Sequence, residues 1–382
     1  MESLVTVRGC EDYDPARIGS VTASILDDLG GASAFFKPGD RVLLKPNLLM
    51  ASAPEKAIVT HPAVVEAFAA LVIDAGARPF IGDSPPLGKL SRILAKCGYE
   101  PFMTKMGIQP APFREKRTVE FSDGRLFKRI DLADEAFQYD SVINLAKVKG
   151  HSQMFLTMAV KNLFGVLIGG DKAAMHLRAG RDYDSFATVL VQIYDAIRPK
   201  LSLVDGVLGM EGDGPNNGIP RPLGFIGASR DAVALDAHVC RLLGLDVKKL
   251  KTCAIAQDMG VGVADEDRIE VAGDRLDGFP LTDFQEPKSM TLSWNFSRQG
   301  WVFRFIANRL VPRPRINSEL CSSCKTCLNH CPPQAICERD GAMEIDHGKC
   351  ISCFCCQELC GNDAISISQP LLARLISKTS GR

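Results

Sequence analysis

Apolar residues follow two spacings over residues 1–275 of this chain, which has 382 residues. Short apolar runs at residues 5–8, 41–44 and 78–81 have the length and composition of buried strands. The segments between them, such as residues 16–29 and the stretch that opens at His61-Pro62, carry apolar side chains at the helical period. Strands that alternate with helices form βαβ units. The pattern therefore predicts an α/β fold, with a largely parallel sheet and covering helices.

A more polar stretch interrupts this alternation at residues 114–131. Within it, Asp123-Gly124 separates two short segments of strand-like composition, and Asp-Gly is a strong hairpin-turn signal. We expect a β-hairpin insertion there. The alternation then resumes, with strands predicted at residues 141–146, 201–205 and 223–228 and helices at residues 154–167, 186–197 and 231–245.

The alternation is lost near residue 275, which divides the chain into parts. Residues 1–275 form the predicted α/β domain, and residues 316–370 form a small cysteine-rich domain. Residues 276–315, which carry aromatic and basic side chains, are a predicted linker and bridging segment that packs against both domains. An amphipathic face for a membrane or a partner is the alternative interpretation of that segment. Residues 371–382 form a C-terminal tail.

Two copies of the pattern Cys-x-x-Cys-x-x-Cys-x-x-x-Cys lie in the small domain, the first beginning at Cys321 and the second at Cys350. In bacterial ferredoxins, three thiolates of one such run and the last cysteine of the other hold each [4Fe-4S] cluster. The predicted ligands are Cys321, Cys324, Cys327 and Cys360 for the first cluster and Cys350, Cys353, Cys356 and Cys331 for the second. The sequence therefore predicts two [4Fe-4S] clusters in a small C-terminal α+β domain that is ferredoxin-like.

Other uses of these cysteines fit their spacing less well. Zinc sites usually pair two thiolates and, after a spacer, two more, and a disulfide framework needs an oxidising compartment. The second run departs from the ferredoxin pattern, because Gly361 stands where Pro332 follows the first run. Two further cysteines, Cys337 and Cys355, lie outside the pattern; we expect them to pack as small apolar residues, and a role as alternative ligands stays open.

The charge of the chain argues against some partners. Lysine and arginine together number 45, as do aspartate and glutamate, so no net charge attracts nucleic acid or an anionic membrane. No stretch approaches the roughly twenty apolar residues of a membrane span. The N-terminal segment lacks the basic stretch and apolar core of a signal peptide. We therefore expect a cytoplasmic protein, and its oligomeric state is left open.

Polar residues follow the predicted strands, and in open α/β sheets ligands bind at the carboxyl ends of the strands. Lysine and amide groups there can bind an anion, and the carboxylates of a Gly-Asp-rich loop after residue 204 can bind a hard cation. The alternative is that the lysines only solvate loops and that the Gly-Asp-rich segment is a surface turn. The candidate ligand-binding residues are Lys45, Asn47, His61, Asp83, Ser84, Lys147, His151, Lys161, Asn162, Asp205, Glu211 and Asp213.

Several of these candidates have a predicted place in the fold. Lys147 and His151 are expected in a loop after the strand at residues 141–146. His61, just before Pro62, can also serve only to start a helix. Asp231 is predicted to cap the helix at residues 231–245, and Asp236 of that helix is expected to face a site if any residue there does.

The polar loops, taken together, resemble one known family. The segments that carry the resemblance are Lys45-Pro46-Asn47, Thr60-His61-Pro62, Gly82-Asp83-Ser84, the run from Asn144 to His151 with AVKNLFG, and Asp205-Gly206 through Gly212-Asp213-Gly214-Pro215. They look like the domain of unknown function 362, over about residues 3–275, which often carries a C-terminal ferredoxin module. The resemblance implies a fold and a fusion, and it implies no catalytic residue.

Two main hypotheses of function follow. In the first, the protein is an oxidoreductase that passes low-potential electrons from the two clusters to an anionic substrate or cofactor on the α/β domain, with a ferredoxin or a reductase as redox partner. In the second, it is an electron carrier or adaptor whose α/β domain docks a partner enzyme without chemistry of its own. An iron or oxygen sensor ranks last, because no DNA-binding element accompanies the clusters. The substrate, and whether a further metal or small-molecule cofactor binds, are left open.

Overall fold

A computed structural model of the chain describes residues 2–122, 125–276, 279, 281–287 and 312–368. The strands are β1 (Ser3–Gly9), β2 (Arg41–Pro46), β3 (Arg78–Ile81), β4 (Gln109–Pro110), β5 (Lys116–Glu120), β6 (Arg129–Ala133), β7 (Ser141–His151), β8 (Phe155–Thr157), β9 (Leu201–Glu211), β10 (Ile219–Ser229), β11 (Ile269–Gly273), β12 (Arg313–Ile316), β13 (Ile336–Arg339), β14 (Ala342–Ile345) and β15 (Ile365–Ser368). The helices are α1 (Pro15–Asp28), α2 (Pro62–Asp74), α3 (Leu90–Lys96), α4 (Glu100–Met106), α5 (Ala159–Asn162), α6 (Asp171–Ala179), α7 (Tyr183–Ile197), α8 (Ala232–Leu242), α9 (Lys251–Asp258), α10 (Thr326–Asn329) and α11 (Cys355–Glu358).

A large mixed sheet forms the centre of the first part of the chain. Its strand order is β11-β1-β10-β9-β7-β2-β3-β4, and β8 pairs with β7. The pairs β9–β7, β7–β2, β2–β3, β3–β4 and β1–β11 are parallel, whereas β10 is antiparallel to both β1 and β9. This confirms the predicted α/β fold with a largely parallel sheet.

Helices cover both faces of this sheet and close two apolar cores. One core contains Ile25 of α1 and Phe68 of α2 against β2 and β9, and the other contains Phe186 of α7 and Leu235 of α8. Burial of these faces is the main source of stability for such a sheet. Asp231 caps α8 as predicted, because its carboxylate accepts the backbone N–H groups of two residues in the first turn.

Two predicted boundaries are wrong in ways that matter for the site. β7 runs through His151 and β9 through Glu211, so the residues expected in loops after residues 146 and 205 lie inside strands. The helix expected at residues 154–167 is replaced by β8, α5 and a 3₁₀ turn at Leu163–Val166. Phe155 adopts a φ of 69°, which ends any helix there and turns β8 back onto β7.

The hairpin predicted near residues 114–131 is present as β5 and β6, which pair antiparallel from Lys116 with Ala133 to Glu120 with Arg129. The turn residues Asp123-Gly124, most of the bridging segment and the tail at residues 371–382 lie outside the described residues. A search of the described helices finds none with the length and apolar character needed to cross a bilayer.

The C-terminal part repeats one β-α-β unit at the same offset that separates Cys321 from Cys350. The first unit is β12, α10 and β13, and the second is β14, α11 and β15. Each strand pairs with a strand of the other unit, so β12 lies antiparallel to β15 and β13 to β14. The backbone repeats as well: at three positions of each unit a residue other than glycine has a positive φ, Ser323, Lys325 and Gln334 in the first and Ser352, Phe354 and Asp363 in the second. The two halves are therefore related by an internal two-fold arrangement.

Candidate functional site

A cavity of about 350 Å³ lies between the large sheet and the cysteine-rich unit. One wall is formed where parallel strands end, by Asn47 after β2, Asp83 after β3 and Lys149 of β7. Another part of the lining is formed by α11, through Cys355 and Glu358. The carboxyl edge of the sheet is where ligands bind in open α/β folds, and the volume suits a small organic molecule.

The structure brings several predicted residues to this cavity. The candidates that line it are Asn47, Asp83, Ser84, Lys161 and Asn162. Lys45 lies fully buried behind Asp83, with its Nζ 3.0 Å from Asp83 Oδ1. The other oxygen of Asp83 accepts the backbone N–H of Leu48. Asp83 therefore has its partners inside the protein and fixes the two strand ends with respect to each other.

Other lining residues were not singled out from the sequence as ligand-binding candidates. They are Lys172, His176, Cys355 and Glu358, whereas Lys149 belongs to the polar run after residue 146 that was expected to bind an anion. Lys172 and His176 belong to α6, whereas Glu358 belongs to α11 in the cysteine-rich unit, so no local motif joins them. Only tertiary folding shows that these residues share one space. Gly169 and Gly170, which precede α6 at the mouth of the cavity, were the nearest sequence signal.

Three lysine ammonium groups give the cavity its charge. Burial lowers the pKa of Lys149 to about 7 and that of Lys172 to about 8, and it also lowers the pKa of Lys161. Lys149 donates to Asn47 Oδ1 at 2.7 Å and to the carbonyl oxygen of Ile58 at 2.8 Å, and Lys172 donates to the carbonyl oxygen of Leu167. Lys161 lies over the ring of Phe164 and has no hydrogen-bond acceptor or ion-pair partner in the described part of the chain.

The wall from α11 is acidic and meets a neutral histidine. Nε2 of His151 lies 3.2 Å from Oε1 of Glu358, although the two atoms are not aligned for a hydrogen bond. Burial lowers the pKa of His151 to about 4, and its Nδ1 accepts the backbone N–H groups of Gln153 and Met154. His151 is therefore a neutral ring at neutral pH with its proton on Nε2. His151 was expected in a loop and is instead wholly buried at the end of β7.

A buried polar network holds α5, and with it Lys161, at the cavity. Asp236 accepts the backbone N–H groups of Ala159 and Val160 at 2.8 and 3.0 Å. The side chain of Asn144 donates to the carbonyl oxygen of Ala159 and accepts from the side chain of Asn162. Asp236 therefore faces the start of α5 and lies outside the cavity lining, which corrects the expectation that it faces a ligand site.

A second group of predicted residues forms a separate buried cluster. Lys147 Nζ lies 2.8 Å from Asp205 Oδ2, and both side chains are fully buried in neighbouring strands. The hydroxyl of Tyr13 and the backbone N–H of His61 also donate to Asp205. The ring of His61 stacks on Tyr13, and its Nδ1 caps α2. These four residues satisfy one another, and they support the fold at the sheet edge.

The carboxylates of the Gly-Asp-rich segment do not converge on a cation. Asp205 pairs with Lys147, whereas Glu211 pairs with Arg221 at 2.8 Å and accepts the backbone N–H of Gln285. The backbone carbonyl of Asp213 accepts from the side chain of Gln357. Among the described residues, no group of three or more histidine, cysteine or acidic side chains is placed to hold one metal ion.

The thiols of the cysteine-rich unit fall into two neighbourhoods. Burial first, and then the thiols of Cys321, Cys360 and Cys324, raise the pKa of Cys327. Burial and the thiols of the second run likewise raise the pKa of Cys331 and Cys356. The two extra cysteines differ from the packing role expected of them, because Cys337 is exposed on β13 and Cys355 lines the cavity.

The α/β domain covers one half of the cysteine-rich unit. Arg181 donates through Nε and Nη2 to the carbonyl oxygen of Cys350, at 3.1 and 2.6 Å. Tyr183 donates to the carbonyl oxygen of Ser352, within the same run. Cys353 and Cys356 are buried, whereas Cys324 of the first run is exposed. The second run therefore lies against the α/β domain, while the first run is open to the outside at Cys324 and reaches the cavity through His330.

Comparisons with known proteins add a family. The family model named domain of unknown function (DUF362) matches residues 42–241. A protein of Synechocystis sp. described as thylakoid-associated is 41% identical over 261 residues, which span 68% of this chain and 81% of that protein. Among solved structures, the lactate racemase apoprotein from Thermoanaerobacterium thermosaccharolyticum has a TM-score of 0.41 and 10% identity, over 63% of this chain and 57% of that chain. So low a likeness carries no inference about the site.

The close approach of the 3₁₀ turn to the buried ion pair predicts the effect of Gly165→Ala. A Cβ at this position would collide with Asp83 Oδ1 and lie 2.6 Å from Lys45 Nζ. We expect a loss of roughly 1–3 kcal/mol in the free energy of unfolding, measured by urea denaturation. Gly19→Ala in α1, where a Cβ meets nothing within 4 Å, is the matched control and should be neutral or stabilising. Equal stability of the two variants would contradict this close packing.

The buried carboxyl of Asp236 predicts a pH dependence of folding. Burial raises its pKa to about 7, so between the unfolded value near 4 and that pH the native state holds a proton that the unfolded chain has released. The contribution is present in acid and is lost as the pH rises through about 7. It amounts to at most roughly 4 kcal/mol.

Asp236→Asn should remove this contribution and flatten the decline of stability between mildly acidic and neutral pH. Urea unfolding across that range checks the expectation, with Asp246→Asn at an exposed position as the control that keeps the wild-type profile. Identical pH profiles for all three proteins would show that Asp236 does not hold its proton in the folded state.

Proposed function

The chain belongs to the DUF362 family, whose name assigns no reaction, and from the geometry of its site we propose that it is an iron-sulfur oxidoreductase. In this proposal the cysteine-rich unit carries two [4Fe-4S] clusters, which deliver electrons to an anionic ligand in the cavity. One observation carries the proposal: α11, which contains Cys356 and is followed by Cys360, is itself a wall of the basic cavity. Electrons from a cluster held there reach the ligand without a long path.

The donor set supports the two clusters. The thiols near Cys327 are those assigned to the first cluster, and the thiols near Cys356 include the three others assigned to the second. The thiolates of a cubane bind four different irons, so they need not converge as the ligands of a single ion do. The positive φ values of Ser323 and Ser352, repeated in both runs, fit loops that fold closely around such a group.

The residues around the cavity hold the anionic ligand and position the second cysteine run. When bound, the clusters supply one-electron transfer at low potential. The lysines of the cavity attract and hold an anion, and the neutral His151 adds no charge to the wall that it shares with Glu358. Arg181 fixes the second run against the α/β domain and places a positive charge near it, which favours an added electron.

The partner in this proposal is a soluble one-electron donor such as a ferredoxin or a reductase. In this proposal the exposed Cys324 leaves the first cluster open to such a donor, and the second cluster passes the electrons to the ligand in the cavity. A cytoplasmic location is predicted from the sequence alone. The Synechocystis relative is described as thylakoid-associated. A carrier that only docks a partner enzyme remains the competing hypothesis.

Anaerobic purification followed by iron and sulfide analysis tests the clusters. We expect about eight irons per chain and reduced-state EPR signals of two interacting cubanes. Cys356→Ala should lose one cluster, leaving about four irons, while Cys337→Ala, at an exposed position outside both sets, should keep both. Zinc in place of iron, or no loss of iron in Cys356→Ala, would contradict the assignment.

The cavity separates the enzyme from the carrier. If the protein is an oxidoreductase, addition of an anion that binds the cavity should alter the EPR signal of the second cluster more than that of the first, because the α/β domain contacts the second run at Cys350 and Ser352. The change should be absent in Lys161→Met. Full clusters with spectra that no bound anion perturbs would favour the carrier.

A further inference from the structure

The cavity is lined by both basic and apolar side chains, and we propose that its ligand is an organic monoanion: one carboxylate or phosphodiester group on an apolar body. This inference deepens the proposed function, because it names the class of the ligand in the same cavity. It rests on the positions of side chains and backbone groups that surround the space, and it does not depend on what the clusters do.

The anionic end of the ligand belongs at Lys161 and the start of α6. The Lys161 ammonium faces the cavity without a hydrogen-bond acceptor in the described part of the chain. Lys161 is partly buried and its charge is balanced in part by Glu358, and an oxyanion would add the charge-assisted hydrogen bond that it lacks. Lys172, on the neighbouring helix, supplies a second cation.

The start of α6 adds backbone donors to these cations. α6 has nine residues, and its cap residue Gly170 provides no side-chain oxygen. The backbone N–H groups of Lys172 and Ala173 have no acceptor among the described residues, and both residues line the cavity. Free N–H groups at a helix start, with the helix dipole, favour an oxyanion. Nearby, His176 is 4% exposed and its ring Nδ1 has no partner among the described residues.

The body of the ligand meets an apolar wall. The apolar side chains that line the cavity are Leu48, Leu49, Pro85, Pro86, Phe164 and Leu359. An inorganic ion would leave this surface and most of the volume of about 350 Å³ unused. An aromatic or alkyl group fills it and gains the free energy of leaving water.

The wall from α11 limits the ligand to one anionic group. Glu358 lines the same cavity, and its carboxylate repels a second negative charge on the ligand. Asp83, the other carboxylate of the lining, repels an anion less, because Lys45 neutralises it at a distance of 3.0 Å. The lining of the cavity therefore favours a ligand with one negative charge over a dianion.

Isothermal titration calorimetry on the anaerobically purified full chain tests the proposal with simple probes. Benzoate, methyl phenyl phosphate and hexanoate are the monoanions, benzyl alcohol is the neutral analogue, terephthalate is the dianion and inorganic phosphate lacks a body. We expect at least one monoanion to bind at least tenfold more tightly than the other three probes. Lys161→Met and Lys172→Met should weaken that binding ten- to hundredfold. Lys37→Met, at an exposed position, is the matched control and should bind as the wild type does.

The outcomes separate this inference from the proposed function. Binding of inorganic phosphate or terephthalate as tight as that of the best monoanion would overturn it, as would an unchanged affinity in Lys161→Met or no binding of any monoanion to the wild type. Monoanion binding that leaves the EPR signals of both clusters unchanged would support the inference while the proposed electron transfer fails. Circular dichroism of each variant shows whether a loss of binding reflects a loss of fold.

Discussion

Buried charge at the carboxyl ends of the central strands is the constraint on which the rest of the structure depends. β2 and β7 carry three lysines into the interior, and a buried ammonium is tolerated only beside an acceptor or a counter-charge. Asp83 forms an ion pair with Lys45, and Asp205 forms one with Lys147. Lys149 donates hydrogen bonds to Asn47 and to the carbonyl oxygen of Ile58. These pairings fix how the strand ends and the loops after them sit, and they leave Lys161 as the cavity lysine without a hydrogen-bond acceptor in the described part of the chain.

The α/β fold could be predicted from the sequence because its signals are local. Apolar runs gave the strands, and Asp231 gave the start of α8. The polar stretch at Lys147 to His151 was misjudged because polar residues normally end a strand, whereas here partners far along the chain allow β7 to continue. Those partners, such as Asp205 for Lys147, cannot be identified from spacing alone.

The candidate site could be predicted only in part, because local signals mark the strand ends and do not show which side chains meet there. Strand-end loops were expected to hold a ligand, and Asn47, Asp83 and Lys161 do line one cavity. Glu358 could not be foreseen, because its place depends on how the cysteine-rich unit packs on the α/β domain. The Gly-Asp-rich segment looked like a cation site, yet its carboxylates pair with Lys147 and Arg221. Sequence shows which groups are available, and packing decides which of them are already taken.

Because both units line the cavity, the binding of a ligand and the attachment of the cysteine-rich unit to the α/β domain are coupled. A molecule held between α6 and α11 touches both units, so its binding free energy includes their attachment to each other. By thermodynamic reciprocity, detachment of the two units weakens ligand binding by the same factor by which a bound ligand strengthens their attachment. Loss of the contact from Arg181 to Cys350 shifts the protein toward the detached state and so weakens binding in part. A ligand bound in the cavity would therefore stabilise the contact between the α/β domain and the cysteine-rich unit.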